Sequence, residues 1–157
     1  MNIIGKETLI MKVIEKLNIT PEELYSVMMD SLIQDYKSAT KKEIQLEDIH
    51  TGFVYKKKSR KRMGFSSTMR VEILELEKNR KYSVMFTTKI EQSISTYEIM
   101  PKGKKNCIVT YTEEFSSAVE DGKKLIRNDE DKAKQNLRRT LHEVERQIIN
   151  HRRKDIK

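Results

Sequence analysis

Apolar residues near the end of the chain recur at Ala133, Leu137, Leu141, Val144 and Ile148, in steps of four, four, three and four. This spacing lays a single stripe along an α-helix over residues 129–154, with Arg, Lys, Glu and Asp covering the rest. Asp129, Glu130 and Asp131 at its start and Arg152, Arg153 and Lys154 at its end complement the helix macrodipole. At about 1.5 Å per residue the helix spans roughly 35–40 Å. At the other end of the chain, Leu9, Met11 and Val13 alternate with Ile10, Lys12 and Ile14, and the pattern continues to Leu17 and Ile19. It predicts a strand over residues 8–19, and apolar residues of both parities predict a partly covered second face. Thr20-Pro21-Glu22-Glu23 then supplies a cap, a proline for the first helical position and the glutamate of a capping box. The helix turns Leu24, Val27, Met28, Leu32, Ile33 and Tyr36 inward and fades near Thr40. Lys41 to Ile49 reads as a loop with one short helical turn.

From residue 51 to 115 the pattern changes to short strands. Gly52-Phe53-Val54-Tyr55 opens the second, which runs into Lys56-Lys57-Lys58-Ser59-Arg60-Lys61-Arg62, read as a hairpin tip and its flanks. Phe65 to Glu77 is the next, and its apolar parity changes between Ile73 and Leu74, the mark of a bulge. Lys78-Asn79-Arg80 turns the chain, and Tyr82, Val84 and Phe86 define one face of the following strand. After a turn near Lys89 to Gln92 comes Ile94 to Met100, then a turn at Pro101-Lys102-Gly103. Cys107, Val109, Tyr111 and Phe115 form the inward face of the last strand, and Ser116 to Asn128 is a polar connection. A sheet with an apolar face needs a cover. The expectation is an α+β fold: a curved antiparallel sheet of six or seven strands wrapped around the C-terminal helix.

Composition narrows this only a little. At 157 residues the chain fits one domain with a substantial core. The net charge of +8 invites an anion-binding reading, but 24 acidic residues are interspersed with the basic ones. No apolar run approaches the roughly 20 residues of a membrane helix, and Lys6 and Glu7 interrupt any leader core, so a cytoplasmic location is expected. A lone Cys107 excludes an intramolecular disulfide and a zinc site of several thiolates.

The order strand, helix, about five strands and one long final helix resembles the helix-grip fold of the START-like superfamily (SRPBCC), which includes polyketide-cyclase-like and birch-pollen-allergen-like proteins. Shorter stretches resemble a small bacterial family of unknown function within it. They are Met11-Lys12-Val13 through Leu17-Asn18-Ile19, Glu22-Glu23-Leu24-Tyr25, Ser31 with Asp35, Gly52 through Lys57, and Thr110 through Phe115. The resemblance spans residues 11–154. It departs in an extra leader and at Thr40-Lys41-Lys42, where a Thr-Gly-Lys-like turn belongs. One START-like domain over residues 1–157, with 1–10 as an N-terminal extension, is therefore expected. The resemblance implies a cavity between sheet and long helix, which in the superfamily takes apolar molecules.

The chemistry carried by single residues is sparse. His50, His142 and His151 lack metal-pair spacing and read as surface or helix-end residues; no metal or cofactor is indicated. Glu113 shares parity with Tyr111 and Phe115, which aims a carboxylate inward, and Glu98 is a weaker case of the same kind. Cys107 reads as a small buried residue, and neither a phosphate loop nor Gly-x-Ser-x-Gly is present, so no catalytic residue is assigned. The expected function is non-catalytic binding of a small hydrophobic or amphipathic ligand. The expected lining is Phe53, Tyr55, Val71, Tyr82, Val84, Phe86, Tyr97, Tyr111, Glu113, Leu137, Leu141 and Val144. The alternative is an interaction module with a filled core that binds nucleic acid or an acidic protein. Lys56, Lys57, Lys58, Arg60, Lys61 and Arg62 of the hairpin 56–62 would make those contacts. An enzyme using Glu113 or Tyr111 as acid or base has the least support. The sequence leaves the oligomeric state open.

Overall fold

The computed structural model describes residues 8–58, 68–117 and 130–155. In order come β1 (Leu9–Leu17), α1 (Pro21–Thr40), a 3-10 turn at Leu46–Asp48, β2 (Val54–Lys58), β3 (Thr68–Glu77), β4 (Lys81–Thr87), β5 (Glu91–Lys102), β6 (Asn106–Ser117) and α2 (Glu130–Asp155). The strands form one six-stranded antiparallel sheet in the order β1-β6-β5-β4-β3-β2. This is the helix-grip α+β fold, with α2 as the long helix.

The register decides what faces α2. Leu9, Phe115, Ser93 and Phe86 lie in one row across β1, β6, β5 and β4, followed by Met11, Glu113, Ser95 and Val84, and then by Val13, Tyr111, Tyr97 and Tyr82. Because side chains alternate along a strand, all of these share the inner face. The parity change in β3 is a bulge: pairing with β4 shifts between Ile73 and Glu75. Near that end the core is filled by Leu17, Leu24, Met29, Ile73, Ile99, Cys107 and Val109.

Local chemistry sets the ends of α1. Thr20 Oγ1 accepts the Glu23 N–H at 3.1 Å, and Glu23 Oε1 accepts the Thr20 N–H at 2.9 Å. The helix stops where Lys41 takes a left-handed φ of 62° and donates its N–H to the Lys37 carbonyl. In α2 the full stripe is shallower than its pattern predicts. Leu141 is buried, whereas Ala133, Leu137, Val144 and Ile148 are half-buried. The helix is held as much by polar ties as by packing. Arg152 Nε donates to Glu23 Oε2 at 2.6 Å, Arg138 meets Glu15 at 3.2 Å, and the Asn18 N–H donates to Glu145.

Several sequence expectations need correction. β1 ends at Leu17 rather than Ile19, since the Asn18 N–H serves α2 instead of a ladder. The second face of β1 is open: Ile10 is 62% and Ile14 57% exposed. β5 starts at Glu91 and continues through Pro101 and Lys102, which pair with Cys107 and Asn106 on β6. Pro101 is tolerated because pairing with β4 stops at Glu98, leaving that side of β5 without a ladder. Phe65 and the connection from residue 118 to 128 lie outside the described residues.

Candidate functional site

Three tyrosines from adjacent strands form a ladder across the middle of the inner face. Tyr82 on β4 and Tyr97 on β5 stack with centroids 6.0 Å apart and planes at 12°, and Tyr97 meets Tyr111 on β6 edge-on at 4.9 Å. Beside them the row turns polar. Ser95 Oγ lies 3.0 Å from the Tyr111 hydroxyl, and Ser93 Oγ donates to Glu113 at 3.2 Å. Polar side chains on a helix-covered sheet face give up core packing, and here Ser93, Ser95, Tyr111 and Glu113 cluster on β5 and β6.

A second cluster closes the opposite edge of the sheet. Asp35 on α1 accepts the Tyr55 hydroxyl at 2.5 Å and the Lys57 ammonium at 3.1 Å. Tyr36, Phe53 and Tyr55 pack edge-to-face or tilted around it, and Lys57 Nζ sits 5.6 Å from the Phe86 ring centroid. Lys57 is thus an inward residue with a counter-charge, while Lys56 and Lys58 are exposed. Arg60, Lys61 and Arg62 lie outside the described residues.

The protonation states favour binding over base chemistry. Burial pushes the hydroxyls of Tyr55, Tyr82, Tyr97 and Tyr111 above the usual tyrosine range. Asp35 adds to this for Tyr55 and Tyr82, and Glu113 for Tyr97 and Tyr111. All four stay neutral near pH 7 and act as hydrogen-bonding groups; none is poised as a base. Burial likewise raises the Cys107 thiol to about 11, so this residue is not an activated nucleophile. Among the described residues no group of His, Cys, Asp and Glu is arranged to hold a metal ion, and no helix is long and apolar enough to cross a membrane.

The family model described as a domain of unknown function, DUF3284, matches residues 11–126. The chain belongs to this family. The matched segment ends before α2, so the strands and α1 carry the family pattern. No curated protein matches the DUF3284 chain. Solved structures share its fold at low identity. Truncated norcoclaurine synthase from Thalictrum flavum is 10% identical with a TM-score of 0.61, covering 95% of this chain and 98% of that one. Ara h 8.0201 is 12% identical at TM-score 0.59, with 92% and 99% covered. The Mll3558 protein from Rhizobium loti is 12% identical at 0.55, with 81% and 93% covered. Together with the sheet order and α2, these show that the DUF3284 chain has the helix-grip fold of those structures.

Of the expected lining, Tyr55, Val71, Tyr82, Val84, Tyr111 and Leu141 are buried, and Phe53, Phe86, Tyr97, Glu113, Leu137 and Val144 are half-buried. The sheet residues among them share the inner face. Glu98 does not: it points outward, is exposed, and lies 3.8 Å from Lys81. Tyr97 and Ile99 hold the inward parity of β5, which forces Glu98 to the other side. His142, expected at the surface, has a side chain 42% exposed and also makes two contacts. Its Nε2 lies 2.9 Å from Glu15 and its Nδ1 2.9 Å from Glu145, so it ties α2 to β1. Asp35 is the residue that site reasoning missed, although it stands in one of the family-like stretches. The inward parity of Lys57, shared with Phe53 and Tyr55, was the available signal, because an inward lysine needs a partner.

Two open concavities lie elsewhere. One of about 480 Å³ runs along the exposed side of α1 past Val27, Ser31 and Asp35, and one of about 240 Å³ sits near Arg80, Glu98, Met100 and Ile108. Both are open to solvent, whereas the aromatic and polar groups converge on the inner face.

Proposed function

We propose that this protein, as one START-like unit over residues 1–157, binds a small hydrophobic or amphipathic molecule between the inner face of the sheet and α2, without catalysing a reaction. The observation that supports this reading is the Tyr82–Tyr97–Tyr111 ladder with Ser93, Ser95 and Glu113 beside it. Aromatic faces supply contact area, and a few convergent polar groups fix orientation, which is the usual make-up of a small-molecule site. Val71, Val84, Leu137, Leu141 and Val144 would complete the apolar lining.

Native mass spectrometry of freshly purified protein, compared with its denatured mass, tests the reading. A bound apolar molecule released on unfolding supports it. A clean ligand-free mass, with no thermal shift across a lipid and metabolite panel, contradicts it. That outcome would turn attention to the exposed Lys56 and Lys58 and to binding of nucleic acid or an acidic protein, which salt would weaken steeply.

A further inference from the structure

The outer face of the sheet, turned away from α2, gathers apolar surface and positive charge in one corner. Cross-strand pairing puts Lys16, Ile108 and Met100 in one row across β1, β6 and β5, with Ile14 and Thr110 in the next. At about 4.8 Å per strand the row is about 10 Å wide. Met100 is 64% exposed and Ile14 nearly as much, so these apolar side chains adjoin one another in solvent instead of standing singly. Cations surround them. Lys12 and Lys16 share the face on β1, Lys102 follows Met100 on β5, and Lys104 and Lys105 lie in the turn into β6. All five lysines are exposed, and Arg80 lines the same concavity as Met100 and Ile108. The neighbouring acids gather at a different cation: Glu75 and Glu98 lie 2.7 and 3.8 Å from Lys81, and Glu77 is its cross-strand partner. Glu114, also on the outer face, stands opposite Ile10 at the far end of β1. Protection of a sheet edge accounts for the lysines on β1, but not for three more beside an exposed methionine on a neighbouring hairpin.

We propose that this corner docks the protein on an anionic lipid bilayer, with Met100, Ile108 and Ile14 entering the headgroup region and the lysines meeting lipid phosphates. The inference is independent of any ligand between the sheet and α2. Two features favour a bilayer over a nucleic acid. Interfacial surfaces join aliphatic side chains to lysines whose long stems carry the charge past them to the headgroups. Sites for single-stranded nucleic acid stack bases on aromatic rings, and the described outer-face positions of β1, β5 and β6 hold no aromatic residue. Each lysine brought near an anionic surface strengthens binding about fivefold, so five in one corner act together. Because α2 covers the opposite face, docking here leaves that helix turned away from the bilayer.

Sedimentation with vesicles tests it, using phosphatidylcholine alone and an equimolar mixture of phosphatidylcholine with phosphatidylglycerol. The protein should pellet with the mixed vesicles at low salt, stay in solution with phosphatidylcholine, and be released as salt rises. Lys104→Gln/Lys105→Gln should weaken binding roughly 25-fold, at about fivefold per lysine. Lys12→Gln/Lys102→Gln, a second pair in the corner, should do the same. Met100→Ser leaves every charge in place and should weaken binding about tenfold, because its apolar side chain no longer enters the interface. Lys132→Gln/Arg139→Gln lowers the net charge equally from exposed positions on α2 and should leave binding unchanged. No pelleting with the mixed vesicles overturns the proposal, as does binding indifferent to Met100→Ser. An equal loss in the α2 pair would mean that net charge alone attracts the protein, and the corner would be refuted. Tighter retention on a single-stranded oligonucleotide than on the mixed vesicles would also overturn it and assign the lysines to nucleic acid.

Discussion

The Asp35 cluster gives the sharpest energetic prediction, because its two hydrogen bonds differ in kind. The Tyr55 hydroxyl, on a residue only 6% exposed, donates to a carboxylate at 2.5 Å. A hydrogen bond to a charged group contributes about 1.5–3 kcal/mol. The Lys57–Asp35 pair is longer, at 3.1 Å, with side chains 27% and 38% exposed. Solvent screening reduces such a pair to under about 1 kcal/mol. Asp35→Ala removes both and strands a buried hydroxyl, so it should cost about 2–3 kcal/mol. For a protein of this length that corresponds to a fall in Tm of roughly 5–10 °C. Tyr55→Phe leaves Asp35 still paired with Lys57 and should cost about 1.5–2 kcal/mol, the lower part of the range for a hydrogen bond to a charged group. Urea denaturation of the single and double variants then yields two coupling energies. The Asp35–Tyr55 coupling should exceed the Asp35–Lys57 coupling. The reasoning is refuted if the order is reversed, or if Asp35→Ala costs less than about 0.5 kcal/mol, the level of an ordinary surface change.

Other parts of the structure make independent predictions. Leu141 is 4% exposed and is the buried member of the α2 stripe, so Leu141→Ala should cost about 3 kcal/mol and Leu137→Ala clearly less, measured as chemical denaturation midpoints. The Arg152 guanidinium, with the Thr20 N–H, holds the Glu23 carboxyl at about 2 against an ordinary 4.5. Stability from this depressed group is complete above about pH 4.5 and lost as pH falls towards 2. With both side chains about a third exposed it amounts to about 1 kcal/mol, so Glu23→Gln should flatten the acid limb of a Tm-against-pH curve. His142 shifts the opposite way, raised above 6.5 by its hydrogen bonds to Glu145 and Glu15. Its contribution is present below pH 6.5 and fades as pH rises through the folded value, so His142→Gln should destabilise most near pH 6 and little at pH 9. Cys107, fully buried with a raised thiol, should react with a thiol reagent only at the rate of unfolding.

What could be read from the sequence was whatever local chemistry determines. The α1 cap needed only Thr20, Pro21 and Glu23 in order, and the parity slip at Leu74 was enough to place the β3 bulge. The tyrosine ladder was legible strand by strand, because Tyr82, Tyr97 and Tyr111 each fall on the inward parity. Contacts between distant elements were not. No spacing rule links Asp35 to Tyr55 and Lys57, or His142 to Glu15, since each pair depends on how a helix lies against a strand. The β1 error has the same origin. Ile10 and Ile14 looked like evidence of a cover, yet an apolar side chain at a strand edge can simply remain exposed. In β5, mixed apolar parity at Ile94, Tyr97, Ile99 and Met100 hid the fact that Glu98 points outward.

The central claim is that ligand binds between the sheet and α2, and amide chemical-shift mapping during titration with N-phenylnaphthylamine tests it most directly. The account predicts saturable shifts centred on Ser95, Tyr97, Tyr111 and Glu113, with matching changes at Leu141 and Val144. Shifts confined to the outer face, at Ile10, Ile14 and Met100, or no saturable shifts at all, would contradict it.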